Sequence, residues 1–335
     1  MILFLLKKLG QSFLILWGVA TLVFVLFTVV PGDSAQMMLG KREDPEALAA
    51  IRAKYGMDQP LPVQYLRYLN RLSPIRWEDG LSFGSPDLGE SYQRQGRSVG
   101  SLIGQTFPNT ALLALVAIGF AVILGGALGA FAAYHPDTVL DRTLANLGAL
   151  GMSLPSFFTA VLMGWIFAFK LGPWTGLHLT GSLFEVDDYS GERIIQWSNL
   201  LLPALTLGIR PVGVVLQLTR NSIKEVMEQD FVRTARAKGL RESRVLWRHI
   251  LPVASNPIIT TVSGWFASLL AGAVFVEIIF GWNGMGKLLV EALNTRDLPV
   301  TMGCVIVIGA VFVVLTTMVD MLYALLDPRV KSELY

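Results

Sequence analysis

The sequence predicts an all-α polytopic membrane protein with six transmembrane helices and a small helical extracytoplasmic insertion between the first two. Three observations predict it. Hydrophobic residues make up 53% of the chain and charged residues 16%, against about 25% charged in soluble domains, and the mean hydropathy is +0.54. The apolar residues are gathered into long uncharged blocks, each matching the ~20 residues that a bilayer-crossing helix needs. The charges pool between those blocks, and one connecting segment is strongly basic. A net charge of +2 is too near neutral to indicate a nucleic-acid partner. The single cysteine, Cys304, lies in an apolar block, so the chain forms no internal disulfide or cysteine-based metal cluster.

Residues 1–8 carry Lys7 and Lys8 and read as a cytoplasmic N-terminus; residues 9–32 are the first span. A cleaved signal has an apolar region of ~7–15 residues ending in small residues. This run is longer and ends in Val29-Val30-Pro31-Gly32, so it is read as a retained helix. The segment 33–97 is placed outside. Asp44 followed by Pro45 is an N-cap with proline at the first helical position, and Gly56 is a helix stop, which predicts a short helix between them. A second amphipathic helix is predicted from Pro62 to Leu72, where Tyr65, Leu66, Tyr68 and Leu69 share a face.

The remaining spans are predicted at residues 98–136, 143–170, 199–220, 253–280 and 300–324. The positive-inside rule places N- and C-termini in the cytoplasm and alternates the loops. The short turn with Arg142, the segment 221–252 and the tail 325–335 with Arg329 and Lys331 then fall inside. Loop 171–198, where Glu185, Asp187, Asp188 and Glu192 outnumber Arg193, and turn 281–299 fall outside.

Chemistry-bearing motifs are sparse. Gly281-Trp282-Asn283-Gly284-Met285-Gly286-Lys287 imitates a phosphate-binding loop, but the magnesium-coordinating Ser or Thr is replaced by Leu288. The string also sits on the side where ATP is absent, and its glycines are read as allowing close packing. His135, His178 and His249 are the only histidines and share no helical face; no nucleophile or metal motif is present. Catalytic, cofactor and metal sites are therefore not expected. Gly125-x-x-x-Gly129 is a small-residue face of the kind that lets helices touch.

The informative segment lies between spans four and five. Asp230-Phe231-Val232-Arg233-Thr234-Ala235-Arg236-Ala237-Lys238-Gly239-Leu240 is amphipathic and glycine-stopped, and His249-Ile250-Leu251-Pro252 follows nine residues after the glycine. Charge alone is equally what topology enforcement produces, but apolar interleaving and glycine spacing point elsewhere. The stretch resembles the EAA loop of ABC-importer permeases, in its Arg-Thr-Ala form that of the peptide and nickel branch. The resemblance runs along nearly the whole chain. Val30-Pro31-Gly32-Asp33, Tyr55–Leu61 with Gln64-Tyr65, Asp87–Ser91, Gly151–Phe157, Leu202-Pro203-Ala204-Leu205, Glu277–Gly286 and Leu325–Val330 resemble that family's strings in order. The Glu277–Gly286 turn departs at Asn283, where a proline is usual.

The resemblance implies a type I ABC-importer permease fold and a dipeptide, oligopeptide or nickel importer. It implies that ATP and Mg are bound by two cytoplasmic ABC ATPase subunits rather than by this chain. It also implies pairing with a homologous second permease, and an extracytoplasmic substrate-binding protein. Phe231, Val232, Arg233, Thr234, Ala235, Arg236, Lys238, Gly239 and Leu240 would be the ATPase-coupling residues. Phe231, Val232, Ala235 and Leu240 would be apolar knobs, and the basic residues would contact an acidic groove rim. A proton-coupled secondary transporter is the alternative reading.

Arg210 interrupts the fourth span near its midpoint. A cation there costs about 2.5–3.5 kcal/mol on the insertion scale, so it should face a partner or a wet path. It is expected either to line the translocation path and attract a carboxylate, such as a peptide C-terminus, or to pair with an acidic residue of the partner permease. Glu277 and Asp320 are read as interfacial, at opposite ends of spans five and six.

Overall fold

The computed structural model describes residues 2–29, 44–76, 82–94, 96–186 and 192–326. The Pro31-Gly32-Asp33 string, Asp187, Asp188 and the tail from residue 327 lie outside them. The fold is helical, with two small antiparallel hairpins. In chain order the elements are α1 (Ile2–Phe24), which runs on as a π-helical turn to Val29, α2 (Pro45–Tyr55), α3 (Leu61–Leu72), β1 (Ile75–Arg76), β2 (Ser82–Phe83) and α4 (Val99–Tyr134). Then come α5 (Val139–Ser153), α6 (Ser156–Met163) with a π-helical extension to Lys170, α7 (Gly172–Thr175), β3 (Phe184–Val186), β4 (Arg193–Ile195) and α8 (Ser198–Met227). The chain ends with α9 (Asp230–Ala237), α10 (Glu242–Val245), α11 (Leu251–Gly272), α12 (Val274–Ile279), α13 (Met285–Asn294) and α14 (Leu298–Leu326).

Among the described residues, four helices are long and apolar enough to cross a bilayer: Leu6–Phe27, Val99–Tyr134, Ser198–Met227 and Leu298–Met321. The predicted third span is a pair, Val139–Ser153 and Ser156–Lys170, bent by 107°. Sequence explains the bend. Pro155 disfavours helical backbone at the residue before it, and Leu154 is extended, with ψ 131°. The predicted fifth span is α11, helical over 22 residues. It falls short of those four in apolarity because Ser255, Asn256, Thr260, Thr261, Ser263 and Ser268 interrupt it.

The chain divides into two compact units, Met1–Pro108 with Lys287–Val314, and Asn109–Gly286 with Leu315–Tyr335. In the first unit α2 is built as its caps dictate. Asp44 Oδ1 accepts from the backbone N–H of Glu46 and Ala47 at 3.0 and 3.3 Å, and Gly56 closes the helix at φ 67°. Two residues of the predicted face of α3 pack on α1, the Phe24 ring lying 5.2 Å from Tyr65 and 5.4 Å from Tyr68, while Leu66, expected with them, is exposed because it stands a further ~100° round the helix from Tyr65. Asp297, just before α14, gathers the 91–93 loop. It accepts from the Ser91 hydroxyl and from the backbone N–H of Tyr92 at 3.0 Å.

In the second unit α8 is clasped by its neighbours through glycines. A Cβ on Gly125 of α4 would stand 2.7 Å from the Val212 carbonyl oxygen, and one on Gly208 would stand 2.9 Å from the Ala117 carbonyl oxygen. Gly213 meets the Gly148 backbone of α5 in the same way. Backbone touches backbone along these contacts, which only a missing side chain permits.

The glycine-rich string after α12 is likewise a packing device. Trp282 is fully buried and its indole N–H donates to the Asn109 carbonyl at 3.1 Å. The Thr110 hydroxyl donates to Glu277 Oε1 at 2.7 Å and accepts from the Met285 N–H at 2.8 Å. Beside Gly284, the space a phosphate would need is filled by the Glu277 carboxyl group. Glu277, read from the sequence as lying near the outer end of span five, is part of this packing. Its side chain is 0% exposed and bonded inside the second unit, because the turn folds back over it.

Candidate coupling surface

The 220–254 segment is built on the end of α8. That helix stops at Met227, and Gln229 takes extended backbone (ψ 146°) before α9 starts. On α9, residues three apart share a face, and Val232 and Ala235 are 0% and 5% exposed. They join Ala133, Ile223, Val226, Val245, Ile250 and Ala254 in one apolar cluster, with Leu240 and Leu246 packed at its edge. Burying a residue such as Val232 contributes roughly 1.5–3 kcal/mol, so this seat fixes the short helix against the ends of α4, α8 and α11.

Gly239 ends α9 in a Schellman turn. Its φ is 76°, its N–H donates to the Arg236 carbonyl at 2.9 Å, and the Leu240 N–H reaches back to the Ala235 carbonyl at 3.4 Å. That is the pattern of a left-handed residue just past a helix C-terminus, with an apolar residue following. Across the elbow, the Arg236 guanidinium forms a two-bond bridge to Glu242, Nε–Oε1 2.8 Å and Nη2–Oε2 3.2 Å.

Several predicted coupling residues therefore take different parts. Val232 and Ala235, expected as outward knobs, point into their own chain, because the helix needs an apolar face for its seat. Leu240 is half-buried at the rim of the same seat. Phe231 is 42% exposed, and Arg233, Thr234, Lys238 and Gly239 are exposed with it. Arg236 is engaged by Glu242, and Arg233 makes only a loose 3.7 Å contact with Asp230. Trp247, singled out by no sequence motif, is 73% exposed; a large aromatic in a basic segment is the signal by which the sequence could have shown it.

A buried charge knot secures this end of the unit. Asp141, 1% exposed, accepts from Arg220 Nη2 at 2.7 Å and also from Arg220 Nε. It lies 3.7 Å from Lys224 Nζ and accepts from the Asp137 N–H at 3.1 Å. It joins the start of α5 to the last turns of α8, one turn before Ile223 and Val226 enter the apolar cluster.

Arg210 lies apart from that surface, about 18 Å along α8 from Ser198 at ~1.5 Å per residue. It is exposed, and its guanidinium carbon stands 5.8 Å from the centre of the Trp265 ring of α11. Among the described residues no carboxylate pairs with it.

The sequence matches a known family over both of its halves. Residues 125–332 match the binding-protein-dependent transport system inner membrane component, and residues 1–114 match the N-terminal part of such membrane components. The chain belongs to that family. The di/tripeptide transport system permease protein of Pseudomonas aeruginosa is 33% identical over 349 residues, covering 99% of this chain and 100% of that protein. The dipeptide transport system permease protein of Alkalihalophilus pseudofirmus is 32% identical over 330 residues, with 95% and 96% covered. Among solved structures, an inward-facing form of the MetNI methionine ABC transporter superposes with a TM-score of 0.52 at 14% identity, over 68% of this chain and 97% of that one. The inner-membrane component thus has the type I ABC-importer permease fold.

Proposed function

We propose that this chain is the transmembrane permease subunit of an ATP-driven importer of di- or oligopeptides, forming half of the translocation path. The observation that carries the proposal is the two-faced construction of α9. Its inner face is locked by Val232 and Ala235 into the ends of α4, α8 and α11, while its outer face offers Phe231, Arg233, Thr234 and Lys238. A helix so mounted transmits a push on its outer face to the long helices behind it.

Two cytoplasmic ATPase subunits would bind ATP and Mg and receive this surface in a groove with an acidic rim. Phe231 fills the groove; Arg233 and Lys238 meet the rim. Leu240, Gly239 and the Arg236–Glu242 bridge keep the elbow closed, so that displacement of the helix is not absorbed by its loop. The termini lie in the cytoplasm, a homologous permease supplies the other half of the path, and an extracytoplasmic binding protein delivers the peptide. The names of the relatives support the peptide class.

Affinity purification of the tagged chain from its native membrane tests the assembly; a sister permease and two nucleotide-binding subunits are expected to co-purify. Proteoliposomes carrying that complex and the binding protein should accumulate peptide with ATP inside whether or not a protonophore is present. Uptake that collapses with the proton gradient and ignores ATP would establish the secondary-transporter alternative instead, and uptake of nickel without peptide would reassign the substrate.

A further inference from the structure

The open face of α8 carries a polar stripe. Gly208, on the side of the helix opposite Arg210, packs on α4, and Gly213, flanking the stripe, packs on α5. Uncovered near mid-helix on one helical face are exposed Arg210, half-buried Val214 and Gln217, and exposed Asn221, three of the four polar. The neighbouring helix α11 has a stripe of its own. Thr260, Gly264 and Ser268, each four residues apart, are exposed, and no atom lies within 4 Å of where a Gly264 Cβ would be. The two helices meet at Arg210 and Trp265. Polar and small residues recurring along one face of each of two helices do not suit lipid contact; intramembrane charge belongs on a water-filled cavity or a bundle interior.

Two occupants fit a cation here, a carboxylate of the sister permease or one of the solute. The geometry favours the solute. A subunit ion pair needs one polar point, whereas these stripes run on past Arg210 along both helices. The guanidinium is also already placed over an indole face of its own chain, an arrangement that holds a cation without neutralising it. It therefore keeps its full set of donors for a planar acid, which arginine grips with two parallel bonds.

We infer that Arg210, backed by Trp265, is a waystation for the C-terminal carboxylate of a peptide in transit, the polar stripes forming the wet wall along which it moves. This rests on the importer reading above and adds the chemical group the path recognises. A single cation open to water grips a carboxylate in the path and still releases it.

The test uses the complete complex with its binding protein in proteoliposomes, and an equimolar pool of tritiated di-, tri- and tetra-alanine beside the same pool amidated at the C-terminus. The binding protein is unchanged between wild type and variant, so its own preference cancels when each variant is compared with wild type. Arg210→Ala is expected to lower free-acid uptake about tenfold and amide uptake less than twofold, while Arg210→Lys retains at least half of free-acid uptake. The Ala variant should co-purify with the sister permease in wild-type proportion. Equal losses for acid and amide, no loss for either, or loss of the sister permease on purification would each overturn the inference. Absence of ATP-dependent peptide uptake by the wild-type complex would instead overturn the importer reading on which it rests.

Discussion

Replacing Gly239 with valine is the sharpest perturbation of the elbow after α9. Nothing lies within 4 Å of where the new Cβ would stand, so the substitution creates no clash. Its cost is confined to the backbone: φ is 76°, and a non-glycine residue in the left-handed region costs about 1–2 kcal/mol, a β-branched one falling at the upper end. A change of that size shifts the population of the closed elbow by a factor of roughly 5–30. The Schellman bonds from Gly239 and Leu240 are lost in the open form, while the inner seat of Val232 and Ala235 still anchors the helix. The reconstituted complex should therefore assemble and hydrolyse ATP but import fewer peptides for each ATP consumed. The assay is the ratio of phosphate released to labelled peptide accumulated in the same proteoliposomes. Gly239→Val is expected to raise that ratio several-fold, and Gly239→Asn, which tolerates the left-handed region, to stay within twofold of wild type. A valine variant with the wild-type ratio would refute the argument that a closed elbow is needed for transmission.

Substitutions at four further positions separate the parts of this machinery. Arg233→Glu changes an exposed residue and should leave the unfolding temperature unchanged, surface substitutions usually falling within about 0.5 kcal/mol, yet uncouple hydrolysis from uptake. Arg236→Glu also breaks the bridge to Glu242 and should lower thermal stability by up to about 1 kcal/mol, read by unfolding in detergent. Asp141→Asn leaves Arg220 and Lys224 without their shared carboxylate; since both cations reach solvent, a loss of about 2 kcal/mol is expected, below the full cost of breaking a buried pair. Thr110→Val strips Glu277 of a donor and the Met285 N–H of its acceptor, about 2–4 kcal/mol for two buried groups, whereas Thr110→Ser should be close to wild type in the same measurement.

Local chemistry was readable in the sequence; partners distant in the chain were not. Asp44, Pro45 and Gly56 announced α2 because capping acts within a few residues, and Gly239 announced the end of α9 for the same reason. Pro155 stood in plain sight, yet its effect was to turn one expected span into two helices, since hydropathy counts apolar residues without asking which backbone they allow. Asp141 left no trace as a knot because its cations come from α8, far along the chain. Periodicity found the apolar face of α9 but could not say whether Val232 and Ala235 meet another subunit or their own core. The burial of Glu277 was not legible because only the returning turn with Thr110 and Trp282 encloses it. For Arg210, depth in the span was legible, but Trp265 and the polar stripes required α8 and α11 side by side.

The glycine contacts that bind α4 and α5 to α8 set a limit on movement. Helices separated by side chains can repack by changing rotamers, but where one backbone rests directly on another there is nothing to rearrange. If force enters at α9, as the proposed function has it, it cannot be spent in tilting α8 against its two companions. The three travel together as a single stiff strut, and whatever hinging the transport cycle requires has to occur elsewhere, at breaks such as Leu154-Pro155 or the joint before α9.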